Sequence, residues 1–230
     1  MQEEVEKALA VVLRVDAVSL TVAGRTDAGV HALGQVASYS GEPASVASLN
    51  GVLPEDVAVL DCSLAAEEFD ARRDATSRAY TYLLLNRPGR SALQRGRALH
   101  WPHAIDLGLL EECARALVGV HDFTAFTPTE TEHVRFSREV FGAEWRARVE
   151  QGLVEFWIEA DAFMRHMVRV LVGTMLEVGS GRRSVQSFVS LLGGAPRSEA
   201  GPTAAACGLY LVGVGYGGER VLGTGRRADG

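Results

Sequence analysis

Lysine is nearly missing from this chain: of the 23 lysines and arginines in 230 residues, only Lys7 is a lysine. Its positive charge is therefore carried by guanidinium, the group that pairs bidentately with phosphate and stacks on bases. Cysteine is scarce as well. Cys62, Cys113 and Cys207 are odd in number and far apart, without CxxC spacing, which argues against zinc or dithiol chemistry and for buried thiols. The six histidines show no HExxH or comparable ligand spacing, so no metal site is expected. No apolar run approaches the roughly 18 to 20 residues that span a bilayer. The opening Met1-Gln2-Glu3-Glu4 is acidic where a signal peptide is basic, and the expected location is the cytoplasm.

What is there is the composition of a folded chain, 47% hydrophobic and 23% charged, long enough for one large domain or two lobes. The net charge of -6 speaks against nucleic acid only as a global sum. Arg87, Arg90, Arg95 and Arg97 share a segment with no acidic residue, and Arg72, Arg73 and Arg78 lie just upstream. Two local basic stretches thus survive in an acidic chain.

The chain is organised around Gly24-Arg25-Thr26-Asp27-Ala28-Gly29-Val30-His31-Ala32, a small polar segment between the apolar runs Val18-Leu20-Val22 and Val36-Ala37-Tyr39. It reads as strand, tight loop, strand, with Gly24 and Gly29 opening backbone angles closed to other residues. Taken alone it is an Asx-type turn with a solvated aspartate, Asp27, two residues from a guanidinium, Arg25.

Apolar spacing predicts helices over 3–13, 45–53, 107–117, 163–178 and 185–192, and strands over 57–64, 75–86, 141–149, 153–160 and 208–216. Glu150-Gln151-Gly152 reads as the turn of an antiparallel hairpin, and 118–138 as polar and irregular. On the 163–178 helix, Met164, Met167, Val168, Leu171 and Met175 form a core stripe. Arg165 and Arg169 fall four residues apart, with Gly173 four further on, where backbone or ligand can approach. Hairpins alternating with helices indicate α+β with a mainly antiparallel sheet. Gly213-Val214-Gly215-Tyr216-Gly217-Gly218 fits G-x-G-x-x-G, but only twelve residues follow, too few for a dinucleotide fold.

With these motifs in this order, the chain resembles the TruA family of tRNA pseudouridine synthases. The nine-residue segment 24–32 is similar to that family's catalytic loop. Leu49-Asn50-Gly51-Val52-Leu53-Pro54-Glu55-Asp56-Val57, Phe69-Asp70-Ala71-Arg72, Arg78-Ala79-Tyr80-Thr81-Tyr82 and His121-Asp122-Phe123-Thr124-Ala125-Phe126 resemble later segments. So do Ala162-Phe163-Met164-Arg165-His166-Met167-Val168-Arg169 and Gly208-Leu209-Tyr210-Leu211.

The resemblance implies a pseudouridine synthase fold of two α+β lobes with a continuous, mainly antiparallel sheet, flanking helices and a central basic cleft. Residues 1–66 would form the N-terminal lobe carrying the catalytic loop, 67–216 the C-terminal lobe, and 217–230 a flexible tail. It implies a homodimer that binds tRNA, no membrane, no cofactor and no metal, and isomerisation of uridine at positions 38–40 of the anticodon stem-loop. Site residues carried over are Asp27 as the catalytic carboxylate, Arg169 as its partner and Tyr80 as the residue against the uracil and candidate general base. Arg25 would help displace the base, and Thr26, His31, Arg78, Arg87, Arg90 and Arg165 would contact RNA. Spacing alone does not separate Tyr80 from Tyr82; only the family motif selects Tyr80.

The chain departs from the family pattern at its start, opening inside the first helix where an apolar strand is expected upstream. That implies a start farther upstream, a valine codon having been read as Met1. Arg165 stands where histidine is commoner. Two other readings compete: a catalytically silent RNA-binding or chaperone protein on the same scaffold, and a nucleoside hydrolase. The hydrolase would need a second catalytic carboxylate, for which the sequence offers no placed candidate.

Overall fold

The computed structural model describes residues 1–131, 134–148 and 152–223. The chain divides into two units, Met1–Arg25 with Gln35–Ala75, and Thr26–Gly34 with Thr76–Gly230. The loop expected to sit wholly in an N-terminal lobe is thus shared, Arg25 with the first unit and Asp27 with the second.

In the first unit, α1 (Gln2–Leu13) and α2 (Val46–Val52) bury Ala8, Leu9 and Leu49 together with Leu20, Ala44 and Leu53. Ser45 caps α2 by accepting from the Ser48 N–H, and Pro54 follows its end. The apolar runs flanking the loop become β1 (Thr21–Val22) and β3 (Ala37–Ser38), an antiparallel pair. The strand expected over 57–64 does not form. The Asn50 side chain accepts from the Val59 N–H and donates to its C=O, occupying the groups a ladder would use, and Leu60 and Leu64 are exposed.

The second unit is a seven-stranded sheet backed by helices. In chain order it contains β2 (His31–Ala32), β4 (Ala75–Leu85), β5 (Leu99–His100), α3 (Leu107–Leu117), β6 (Gly119–Asp122), β7 (Ser137–Arg148), β8 (Leu153–Ala160), α4 (Met167–Gly179), α5 (Val185–Ser190) and β9 (Leu209–Tyr216). The strand order is β2-β9-β4-β8-β7-β6, with β5 beside β4. The long ladders β4–β8, β7–β8 and β6–β7 are antiparallel; the two-residue pairings β2–β9 and β4–β5 are parallel. The chain is therefore α+β with a large, mainly antiparallel sheet, as expected. Of the expected hairpin both strands form, while Glu150 and Gln151 of its turn lie outside the described residues. The stretch over 118–138 is more ordered than its polarity suggests. It holds β6 and a short 3-10 turn, Thr124–Phe126, with Phe123 and Phe126 fully buried.

The C-terminal end is anchored as far as it is described. Glu159, buried in β8, accepts from Ser77 Oγ and from the backbone N–H groups of Val221 and Leu222. Residues 224–230 of the expected tail lie outside the described residues. No helix among the described residues is long and apolar enough to cross a membrane.

α4 is buried almost all round. Eleven of its thirteen residues are buried, leaving Arg169 and Glu177 as the polar exceptions, so it is a core helix and not a surface one. It starts at Met167, four residues later than the periodicity predicts, because His166 before it adopts a left-handed conformation (φ 62°, ψ -3°). Such a backbone costs on the order of 1–2 kcal/mol for a residue with a β-carbon. Arg165 therefore lies outside the helix, and the expected Arg165/Arg169 pair on one helical face does not exist.

Gly173 is where the chain folds back over α4: a β-carbon there would stand 1.8 Å from the Pro202 carbonyl oxygen. Gly173→Ala should lower the unfolding free energy by about 1–3 kcal/mol, at the upper end because the obstacle is backbone and not a yielding side chain. Urea denaturation measures this, and an unchanged midpoint would contradict the close approach.

Candidate active site

The parallel pairing of β2 with β9 places the end of the polar loop at the sheet edge, in the register His31↔Tyr210. The loop turns at Asp27, whose carbonyl accepts from the Val30 N–H, and Gly29 supplies the positive φ of 83° that the turn needs. Asp27 is thereby presented to the first turns of α4.

There Arg169 Nη1 donates to Asp27 Oδ2 at 2.8 Å. The same guanidinium donates through Nε to the Ala204 carbonyl at 2.8 Å, and the Ala204 N–H donates back to the Arg169 carbonyl at 3.0 Å. The segment that crosses Gly173 thus holds Arg169 on both sides, and the fork geometry of guanidinium lets one group face two acceptors. The Arg169 and Asp27 side chains are 15% and 30% exposed: largely shielded, with one side open. A second group approaches the same oxygen, His166 Nε2 standing 3.3 Å from Oδ2. No hydrogen bond reaches Oδ1 among the described residues.

The two tyrosines separate clearly. Tyr82 is fully buried and its hydroxyl donates to the Ala205 carbonyl at 2.8 Å, a structural role. Tyr80 is buried edge-on to Phe163, with ring centroids 5.0 Å apart. Burial pushes its phenol up to about 12, the Arg78 charge opposing and the Asp27 charge reinforcing the rise. Tyr80 and Asp27 are therefore electrostatic neighbours. His166 is displaced in the opposite sense: burial lowers its pKa, Arg169, Arg165 and Arg197 oppose protonation further, and Asp27 alone favours it.

Of the other expected residues, Arg165 is exposed in the turn before α4, its carbonyl accepting from Thr127 Oγ1. Arg78 Nη1 donates to the Asp161 carbonyl at 3.0 Å. His31 stacks on Tyr210 at 4.6 Å, its Nε2 lying 2.9 Å from the Gly96 carbonyl oxygen, while Tyr210 donates to the Arg97 carbonyl. It thus joins β2 to the arginine-rich segment. Arg87 and Arg90 are exposed, Arg87 folded onto the carbonyls of Gly89 and Arg90. Arg25 is exposed and Thr26 half-buried. Asp27 and Arg169 come together from segments far apart in sequence, with Tyr80 within the influence of the Asp27 charge; His166 joins them without having been singled out, its only sequence signal being its place inside the Arg-His-Met-Val-Arg run. Among the described residues, no group of three or more His, Cys, Asp or Glu is arranged to hold a metal.

Comparison with known proteins decides the family. Over 222 residues the chain is 41% identical to the tRNA pseudouridine synthase A of Neisseria meningitidis serogroup B, covering 94% of this chain and 82% of that protein. The chain belongs to the tRNA pseudouridine synthase A family. The protein of the same name from Bacillus pumilus is 37% identical over 223 residues, covering 94% of this chain and 89% of its own length. That from Myxococcus xanthus is 41% identical over 210 residues, 86% of this chain and 77% of its own. The family profile described as tRNA pseudouridine synthase matches residues 113–217, which include Arg165, His166 and Arg169 but not Asp27 or Tyr80.

For this family member, the Asp27–Arg169 contact should be measurable as coupling. Asp27→Asn and Arg169→Gln, singly and together, should give a double-mutant cycle in unfolding free energy with an interaction of about 1 kcal/mol or more. Additive effects would mean that the pair is not formed in solution.

Proposed function

We propose that this tRNA pseudouridine synthase isomerises uridine to pseudouridine at positions 38–40 of the anticodon stem-loop, with Asp27 as the catalytic carboxylate. The observation that carries this reading is the carboxylate itself: it is partly shielded, gripped at one oxygen by a fixed guanidinium and, among the described residues, without a hydrogen bond to its other oxygen. In the reaction the bond from ribose C1′ to uracil N1 breaks, the base turns while bound, and C5 joins C1′. The proton on C5 leaves and N1 gains one, so the net change is an isomerisation needing no external reactant. Asp27 serves either by attacking the sugar or by stabilising its cationic character. Arg169 keeps the carboxylate oriented throughout.

Tyr80 lies against the uracil in this reading. A phenol near 12 is ionised in only about one molecule in 10⁴ at pH 8, so it works as a neutral hydroxyl. It can take the C5 proton only if its own leaves in the same step. The target base is stacked and must be extruded, at a cost of a few kcal/mol. Arg25, beside the catalytic residue in sequence, assists that step. Thr26, His31, Arg78, Arg87, Arg90 and Arg165 bind RNA, the exposed arginines through phosphate. A cytoplasmic homodimer acting on tRNA completes the proposal.

The test is tritium release from C5-labelled uridine in anticodon stem-loop RNA. Asp27→Asn should cut release at least about 100-fold while RNA binding persists. Tight binding by the wild-type chain with no release would favour the silent RNA-binding protein instead.

Tyr80→Phe should lower turnover, yet the pH–rate profile between about pH 6 and 10 should keep its shape, because a phenol raised by burial stays protonated throughout that range. An alkaline limb that disappears with the hydroxyl would identify the phenolate as the titrating base.

A further inference from the structure

Two non-glycine residues among those described have left-handed backbone, Arg14 and His166. Arg14 ends α1 as its C-cap, an ordinary use of that conformation. His166 sits at the start of α4, where serine, threonine or aspartate in extended conformation would cap the helix, and its side chain makes no cap hydrogen bond. The strain thus gains nothing for the helix. What it accompanies is the ring's position beside Asp27, with Nε2 3.3 Å from Oδ2, on the oxygen that Arg169 already holds. Strained backbone that serves no local purpose points to a site function.

We propose that His166 is a positioning residue for the isomerisation: with Arg169 it fixes the rotation of the Asp27 carboxylate through Oδ2, so that Oδ1 is the oxygen presented to ribose C1′. The inference rests on Asp27 being the catalytic carboxylate. A single hydrogen bond allows a carboxylate to swing about that contact; a second polar side chain close to the same oxygen narrows the swing. Arg169 stands in the first turn of α4 and His166 is the residue that precedes it, so one helix start carries both groups. At 3.3 Å the two groups are a close polar approach that makes no hydrogen bond in this structure, and catalytic contacts commonly tighten when substrate binds. A neutral ring donating Nε2–H suits the task. It orients the carboxylate without adding a second full positive charge, and burial together with the surrounding arginines Arg165, Arg169 and Arg197 keeps the ring in that form.

The experiment compares full-length His166→Gly, His166→Gln and Asp27→Asn with wild type in steady-state tritium release from the stem-loop RNA. Glycine accepts φ 62° without strain, so His166→Gly should unfold thermally at or above the wild-type temperature. Its kcat should nevertheless fall at least 10-fold, with KM within about twofold of wild type. Glutamine offers an N–H at similar reach and should restore kcat to within about threefold of wild type. Full turnover in His166→Gly, a loss appearing in KM, or a glutamine variant as slow as the glycine one would each overturn the positioning role. Asp27→Asn keeps the two questions apart: if it is inactive while His166→Gly is fully active, only the inference about His166 fails. If Asp27→Asn turns over normally, the catalytic assignment of Asp27 fails with it.

Discussion

The hydrogen bond from Arg169 to Asp27 joins residues 142 positions apart, and much of the second unit serves to make it possible. The carboxylate arrives on a loop whose far end pairs with β9 at the sheet edge. The guanidinium arrives on a helix that is otherwise buried. Neither placement would suffice alone, because an arginine with one partner and a long flexible stem samples many rotamers. The Ala204 carbonyl removes that freedom by accepting from Nε, and the Ala204 segment can lie so close only because α4 carries glycine at position 173. The ion pair thus depends on a glycine one helical turn beyond Arg169.

A carboxylate that is fully buried shows the opposite solution. Glu159, in the interior of β8, accepts from one hydroxyl and two backbone N–H groups and faces no cation in its hydrogen bonds. Its oxygens are consumed by fixed donors, which stabilises the charge and leaves nothing to react. Asp27 differs in that, among the described residues, the polar contacts of its carboxylate all fall on one oxygen. The contrast separates an acidic residue used as a structural tie, here holding residues 221 and 222 to the sheet, from one suited to chemistry.

Much of the fold was legible because it follows from periodicity. The helices over Gln2–Leu13 and Leu107–Leu117 and the strands β4, β8 and β9 fall where apolar spacing places them, while β7 begins at Ser137, four residues before the expected 141. The misses have local physical causes that spacing does not encode. At 57–64 the alternation is real, but Asn50 takes the hydrogen bonds of a ladder partner. At 163–166 the helical spacing continues while His166 breaks the backbone, and apolar periodicity does not encode a left-handed residue. The strand Gly119–Asp122 hides in polar sequence because its order comes from β7 and from buried Phe123 and Phe126 beyond it. For the candidate site, Asp27, Arg169 and Tyr80 were legible through family resemblance and not through spacing, which left Tyr80 and Tyr82 equivalent. Only the partner of each hydroxyl distinguishes them: Tyr82 is committed to Ala205, whereas Tyr80 lies within the field of Asp27.

That field bears on how a proton could leave C5 in the proposed reaction. Burial and the Asp27 charge both favour the protonated form of Tyr80, and Arg78 opposes them only in part. A resident phenolate beside an ionised carboxylate would put two negative charges in one shielded place, which electrostatics disfavours. The two groups therefore suit different roles: the carboxylate carries the charge, and the phenol supplies a neutral, polar wall for the base. In the proposed reaction a covalent bond from Asp27 to ribose C1′ would consume the carboxylate's charge and lift the smaller influence on the phenol, leaving burial to keep it protonated. A proton leaving C5 in that proposed reaction would pass to Tyr80 only as the phenol's own proton departs, so the proposed timing would follow the state of the carboxylate.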